Sequence, residues 1–144
     1  MAKVTLRCIE CKDDRKMIGR IWSYSEPDIV IIGRDASAAK IVVPSTVAKV
    51  SRWNSILEII PPYIYASDTG SLNGTYVNGK LIGKREKGIS ISIARKAEYP
   101  KIELFNGAKL GIGGKNNTLV FEVKIVDDDE TIPAVYAQNS VIEK

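Results

Sequence analysis

The stretch Gly70-Ser71-Leu72-Asn73-Gly74-Thr75-Tyr76-Val77-Asn78-Gly79-Lys80-Leu81 decides the fold class. It holds two Asn-Gly steps, at Asn73 and Asn78, five residues apart. Asparagine and glycine both tolerate positive φ, so each step predicts a tight turn. Between them, Thr75-Tyr76-Val77 has the β-branched and aromatic side chains of a strand. Asn78-Gly79 predicts an ordinary hairpin. The loop before it is different, because Ser71, Asn73 and Thr75 bring three short polar side chains where a turn needs one. The surplus points either to a site or to a turn-rich β loop.

Working outward, the rest of the chain repeats the same alternation of short β segments and turns. Val4 to Glu10 predicts a strand and Lys12-Asp13-Asp14 its turn. Met17 to Tyr24 is a second β-type segment, closed by Ser25-Glu26-Pro27-Asp28. Ile29-Val30-Ile31-Ile32 is wholly apolar, which predicts a buried strand ending at Gly33-Arg34-Asp35. Ile41 to Val43, Ser55 to Ile60 and Tyr63 to Ala66 follow as strands. Between Gly83 and Pro100 the clean alternation Ile89-Ser90-Ile91-Ser92-Ile93 predicts an extra hairpin strand or a long ordered loop. Ile102 to Phe105, Ala108 to Ile112 and Thr118 to Val126 complete the set. Short strands at this spacing, without a helical period, predict an all-β sandwich.

At 144 residues, 44% hydrophobic and 26% charged, the chain suits one soluble domain. Histidine is absent, which removes the commonest general base and metal ligand. No apolar run approaches the roughly 18 residues of a membrane span. The first residues carry no apolar signal core, so a cytoplasmic location is expected. The net charge of +4 hides an asymmetry. Residues 127–144 hold five acids and one lysine, leaving 20 bases and 12 acids, or +8, on residues 1–126. A basic body suits an anionic ligand, either nucleic acid or an anionic group on a protein. The composition shift and Pro133 predict a domain over 1–126 and an acidic tail over 127–144. Thr131, flanked by acids in that tail, is a candidate phosphorylation site.

Cys8 and Cys11 are the only cysteines. A Cys-x-x-Cys pair is half of a structural zinc site, and one chain without histidine cannot complete the set from cysteine and histidine. Two plain thiols are expected, with no metal and no cofactor; the alternative is a metal shared between chains or a redox pair.

Three loops at strand ends carry the remaining chemistry: Gly33-Arg34, Ser51-Arg52-Trp53-Asn54, and Ser71 to Thr75. Alternate strand ends of a sandwich collect at one edge, so these loops can meet there. They offer two guanidiniums, a hydroxyl and a carboxamide. Arginine's planar fork matches phosphate, serine adds a donor, and asparagine pairs with a peptide backbone. No nucleophile and base converge, so no enzyme is expected. In this order and spacing, Gly33-Arg34, Ser51 to Asn54, Ser71 to Thr75, Val77 to Gly79 and Gly107 to Gly113 resemble the forkhead-associated (FHA) domain family.

The resemblance spans roughly residues 4–126 and implies an eleven-stranded β-sandwich of two sheets that binds phosphothreonine peptides through its edge loops. It implies that Arg34 and Ser51 hold the phosphate and that Arg52 contacts phosphate or peptide. Asn73 would bond the peptide backbone. Lys49 would read the third residue after the phosphothreonine and favour an acid there. Gly33, Gly74 and Thr75 are implied to be structural. Asn54 stands where the family has a histidine that braces the serine loop, and Leu72 where some members carry a hydroxyl. The implied partners are phosphothreonine-containing proteins downstream of a Ser/Thr kinase. Two rival readings come from other classes. One is a nucleic-acid-binding β domain using Lys84, Arg85, Lys87, Arg95 and Lys96, although Lys80 to Lys101 reads first as a solvated face. The other is a degenerate sandwich serving only as a scaffold.

Overall fold

The computed structural model describes residues 2–127. In chain order its strands are β1 (Ala2–Cys11), β2 (Ile21–Tyr24), β3 (Asp28–Gly33), β4 (Ile41–Val42), β5 (Ser55–Ile60) and β6 (Tyr63–Asp68). They continue as β7 (Thr75–Val77), β8 (Lys80–Gly83), β9 (Ile102–Glu103), β10 (Lys109–Ile112) and β11 (Leu119–Asp127). Eleven strands thus form two sheets, one ordered β2-β1-β11-β10-β7-β8 and the other β4-β3-β5-β6-β9. This is the expected all-β sandwich.

The sheets meet because one face of each strand is apolar. In β1, Val4, Leu6 and Cys8 are fully buried while Arg7 points out. In β5, Leu57 and Ile59 are buried and alternate with half-buried Ile56 and Glu58. Phe121 of β11 is the largest fully buried side chain, and Trp22 meets it edge-on with ring centroids 5.6 Å apart. The Asn78-Gly79 turn is the expected hairpin: both residues have positive φ, 50° and 83°, and Val77 pairs with Lys80.

Three local readings are corrected. The Ile29 to Ile32 run is not buried throughout, since β3 buries Val30 and Ile32 but leaves Ile29 59% exposed. The Met17 to Tyr24 segment opens with a 3-10 turn at Arg15–Met17, capped by the Asp14 carboxylate, and only Ile21–Tyr24 is strand. The alternating Ile89 to Ile93 run is neither strand nor plain loop. It leads into α1 (Ile91–Lys96), whose first turn is capped by the Ser90 hydroxyl accepting from Ile93 N–H. Ile91 and Ile93 are exposed, and only Ala94 of the helix is buried. β11 runs through Asp127, the residue with which the expected acidic tail opens. Thr131 and the rest of the acidic segment lie outside the described residues.

Both cysteines are buried free thiols. Burial, with the neighbouring Cys11, pushes the Cys8 thiol up to about 11. Among the described residues no helix is long and apolar enough to cross a membrane.

Register places the site. Ile32 of β3 pairs with Ser55 of β5, and Ser55 pairs with Asp68 of β6. These three residues form one row across the sheet. The chain beyond that row is Gly33-Arg34 on one side, Ser51 to Asn54 on the next strand, and Thr69 to Gly74 on the third. The predicted loops therefore share one edge.

Candidate functional site: a basic cleft at the loop edge

The β3 and β5 ends are joined by their backbones. Arg34 N–H donates to the Ser51 carbonyl at 3.2 Å and Asp35 N–H to the Arg52 carbonyl at 3.1 Å. Gly33 sits so close that a Cβ there would lie 2.0 Å from the Arg52 carbonyl oxygen. Only glycine permits this approach, which fits the structural part expected of it.

The third loop is built around a carboxylate that the sequence reading missed. Asp68, 3% exposed, accepts from Gly70 N–H and Ser71 N–H at 2.8 Å each, and from the Ser71 and Thr75 hydroxyls at 2.6 Å each. Burial pushes its carboxyl above the usual range, opposed by those same hydrogen bonds. Ser71 Oγ also accepts from Gly74 N–H at 2.9 Å, and Gly74 itself has φ 96°. Two of the loop's three polar side chains are thus consumed internally. Asn73 is left over. The available signal was Asp68 two residues before Gly70, an Asx-turn pattern.

Asn54 ties this loop to the serine loop. It is fully buried; its Oδ1 accepts from Ser51 N–H at 3.0 Å and its Nδ2 donates to the Gly74 carbonyl at 3.3 Å. The asparagine thus holds the serine loop, which the family's histidine is implied to brace, and also reaches the third loop. Two further bonds cross the gap. Leu72 N–H donates to Ser51 Oγ at 2.9 Å, and Asn73 Nδ2 donates to the Lys49 carbonyl at 2.8 Å.

Arg34, Lys49, Ser51, Arg52 and Asn73 all line one cleft of about 190 Å³. Arg34 Nε donates to the Val50 carbonyl, which orients the guanidinium and leaves its two terminal nitrogens to the cleft. Ser51 Oγ already accepts one bond, so its own proton is available to donate. Asn73 keeps its carboxamide oxygen. The lining contains no carboxylate.

Two arginines that sequence reasoning assigned to a solvated face line the same cleft. Arg85 is held by its N–H to the Ser71 carbonyl at 2.8 Å, and Arg95 stacks 4.1 Å above the Trp53 ring. The indole N–H of Trp53 donates to Asp35 at 3.2 Å. Asp35 also accepts from the Ser37 hydroxyl at 2.7 Å. These bonds, the Ser37 bond foremost, hold its carboxyl below the usual range. The segment returns to the cleft because Ala94 packs on Gly70, where a Cβ would come within 2.7 Å of Ala94 Cβ. Nothing in residue order announces that contact.

The FHA domain family model matches residues 30–92, which carry the Gly-Arg, Ser-x-x-Asn and Ser-x-Asn-Gly-Thr loops. Over those residues the chain is similar to FHA domains. No curated protein matches its sequence. Among solved structures it is similar to the FHA domain of the CT664 protein from Chlamydia trachomatis, at 20% identity and TM-score 0.61, covering 85% of this chain and 96% of that one. An FHA domain studied for its phosphothreonine-dependent interactions is 22% identical with TM-score 0.60, covering 87% and 98% respectively. The FhaA FHA domain, solved in complex with the intracellular domain of Rv3910, is 22% identical with TM-score 0.58, covering 84% and 99%. At these identities the likeness is one of fold.

Proposed function

We propose that this FHA-like domain is a phosphothreonine-dependent binding module, an adaptor or regulator that reads the product of a Ser/Thr kinase on a partner protein in the cytoplasm. The observation that carries the reading is the convergence of Arg34, Ser51, Arg52 and Asn73 on one cleft without a carboxylate. In this reading the terminal nitrogens of Arg34 and the Ser51 hydroxyl bind phosphate oxygens. Arg52, exposed at the rim, adds charge. The Asn73 carboxamide, held in place through Lys49, bonds the peptide backbone. Lys49, on the exposed rim, favours an acidic residue farther along the peptide. The binding unit is assigned to residues 1–126, with 127–144 as a separate acidic segment in which Thr131 is a phosphorylation site.

A phosphate brings about −1.5 to −2 charges and three acceptor oxygens, and the two cations have little to hold without it. Two of the similar structures are FHA domains whose own interactions are phosphothreonine-dependent or made with an intracellular protein domain, which supports the reading by analogy. Titration calorimetry tests it. A threonine-phosphorylated peptide should bind, its unphosphorylated form should not, and Arg34→Ala should abolish binding while the melting temperature holds. Equal binding with and without phosphate would refute the reading. A matched phosphoserine peptide should bind more weakly, by at least the roughly 0.8 kcal/mol of one buried methyl.

A further inference from the structure

The cleft holds more positive charge than one phosphate can use. Arg34, Lys49, Arg52, Arg85 and Arg95 all line it, with no acidic side chain among them. One phosphothreonine supplies about −1.5 to −2. Arg85 and Arg95 come from the segment between β8 and β9, away from the three loops that supply the other cations. Both are rooted on the loop that carries Asn73: Arg85 through its N–H to Ser71, and Arg95 through its neighbour Ala94, which rests on Gly70. Their backbones are therefore set relative to the first site.

Their side chains are also placed to receive an anion. Arg95 holds its guanidinium carbon over the Trp53 ring, 4.1 Å from the centroid, a cation–π contact that uses none of its N–H donors. Arg85 Nε is buried without a hydrogen-bond partner. Among the described residues neither arginine makes an ion pair. A broader groove of about 780 Å³ joins the cleft at Leu72, Asn73 and Arg85 and carries Lys84 and Lys87 on its walls, against one acid, Glu86. A peptide extended from the phosphate site along this groove passes Arg85.

We propose that Arg85 and Arg95 form a second anion subsite beside the Arg34–Ser51–Asn73 site, so that this domain selects phosphothreonine segments carrying another anionic side chain nearby, either carboxylate or phosphate. The proposal rests on the phosphothreonine reading. The segment between β8 and β9 thus acts as a specificity element.

Three matched peptides test it by calorimetry on the full chain: one phosphothreonine with neutral neighbours, the same with flanking aspartates, and the same with a second phosphothreonine. At least one anionic peptide should bind about tenfold or more tightly than the neutral one, as expected for charge-assisted hydrogen bonds. Which of them gains more identifies the anion. Arg85→Gln with Arg95→Gln should lower the preference to the part that Lys49 supplies and leave the neutral phosphopeptide within about threefold of its original affinity. If that variant melts early, Arg85→Lys with Arg95→Lys replaces it and should keep a preference for the anionic peptide. Equal affinities for the three peptides overturn the proposal. So does an equal loss for all three in the glutamine variant, which would place both arginines on the first phosphate. Displacement of the anionic phosphopeptide by an equimolar single-stranded oligonucleotide would also overturn it. If no phosphopeptide binds at all, the phosphothreonine reading falls with it; if the neutral one binds without preference, only the second subsite falls.

Discussion

Gly33 is required for space, since its φ is not in the left-handed region and the obstacle is the Arg52 carbonyl 2.0 Å from an added Cβ. Gly33→Ala must push the serine loop off the end of β3. We expect a loss of about 1–3 kcal/mol in urea unfolding, typical of overpacking. Phosphopeptide affinity should fall as well, because Ser51 and Arg52 move with that backbone. Asp35 gives a pH signature. Its carboxyl is held low by the Ser37 and Trp53 hydrogen bonds, so its hold on Trp53 is complete above the ordinary aspartate value of about 3.9. That hold is lost only as pH falls through the lower folded value. In a Trp22→Phe background, Trp53 emission should stay constant down to about pH 4 and change below it. Asp35→Asn should remove the transition. A midpoint at or above the ordinary aspartate value would contradict this account.

The loop between β6 and β7 owes its shape to one buried carboxylate with four donors. Asp68→Asn turns two acceptor lone pairs into donors facing donors. A destabilisation of at least about 2 kcal/mol is expected, with loss of phosphopeptide binding even in the fraction that stays folded. Thermal unfolding and calorimetry on the same sample check both parts; unchanged affinity would mean the loop holds its shape without Asp68. The segment between β8 and β9 teaches the opposite lesson. Its alternating isoleucines suggested a strand, a reading that assumes apolar side chains mark the face turned to the core. Here Ile91 and Ile93 stay exposed, and the capping Ser90 just before them starts a helix that buries only Ala94. Local capping chemistry outweighed periodicity in a segment that contributes little to the core.

The two sheets enclose a core that runs from β1 to β11, strands separated by most of the chain yet paired from Ala2 with Asp127 to Cys11 with Leu119. Cys8 and Cys11 lie inside that pairing, and both thiols are buried with their ionisation pushed upward. Such thiols are poor nucleophiles. Neither should react with iodoacetamide in the native protein near pH ~8, while both react in guanidinium chloride. Labelling should follow the opening of the first and last strands. Fast native labelling would show that this pair of strands opens separately from the rest.

Most of the strands, the hairpin at Asn78-Gly79 and the identity of the loops were legible in residue order. Each depends on local preference: φ at Asn and Gly, β-branching, and apolar alternation over a few residues. The candidate residues Arg34, Lys49, Ser51, Arg52 and Asn73 were legible for a related reason, since their spacing follows a family pattern and strand register carries them to one edge. Asp68, Arg85, Arg95 and the role of Trp53 were not. Asp68 looks like an ordinary turn residue until burial leaves it no partner but its own loop. Arg85 and Arg95 look like solvated bases until Ala94 finds Gly70, a contact between residues 24 positions apart in the chain. Such contacts depend on which surfaces fit once the sheets have packed, and no short window of sequence contains both halves of the fit.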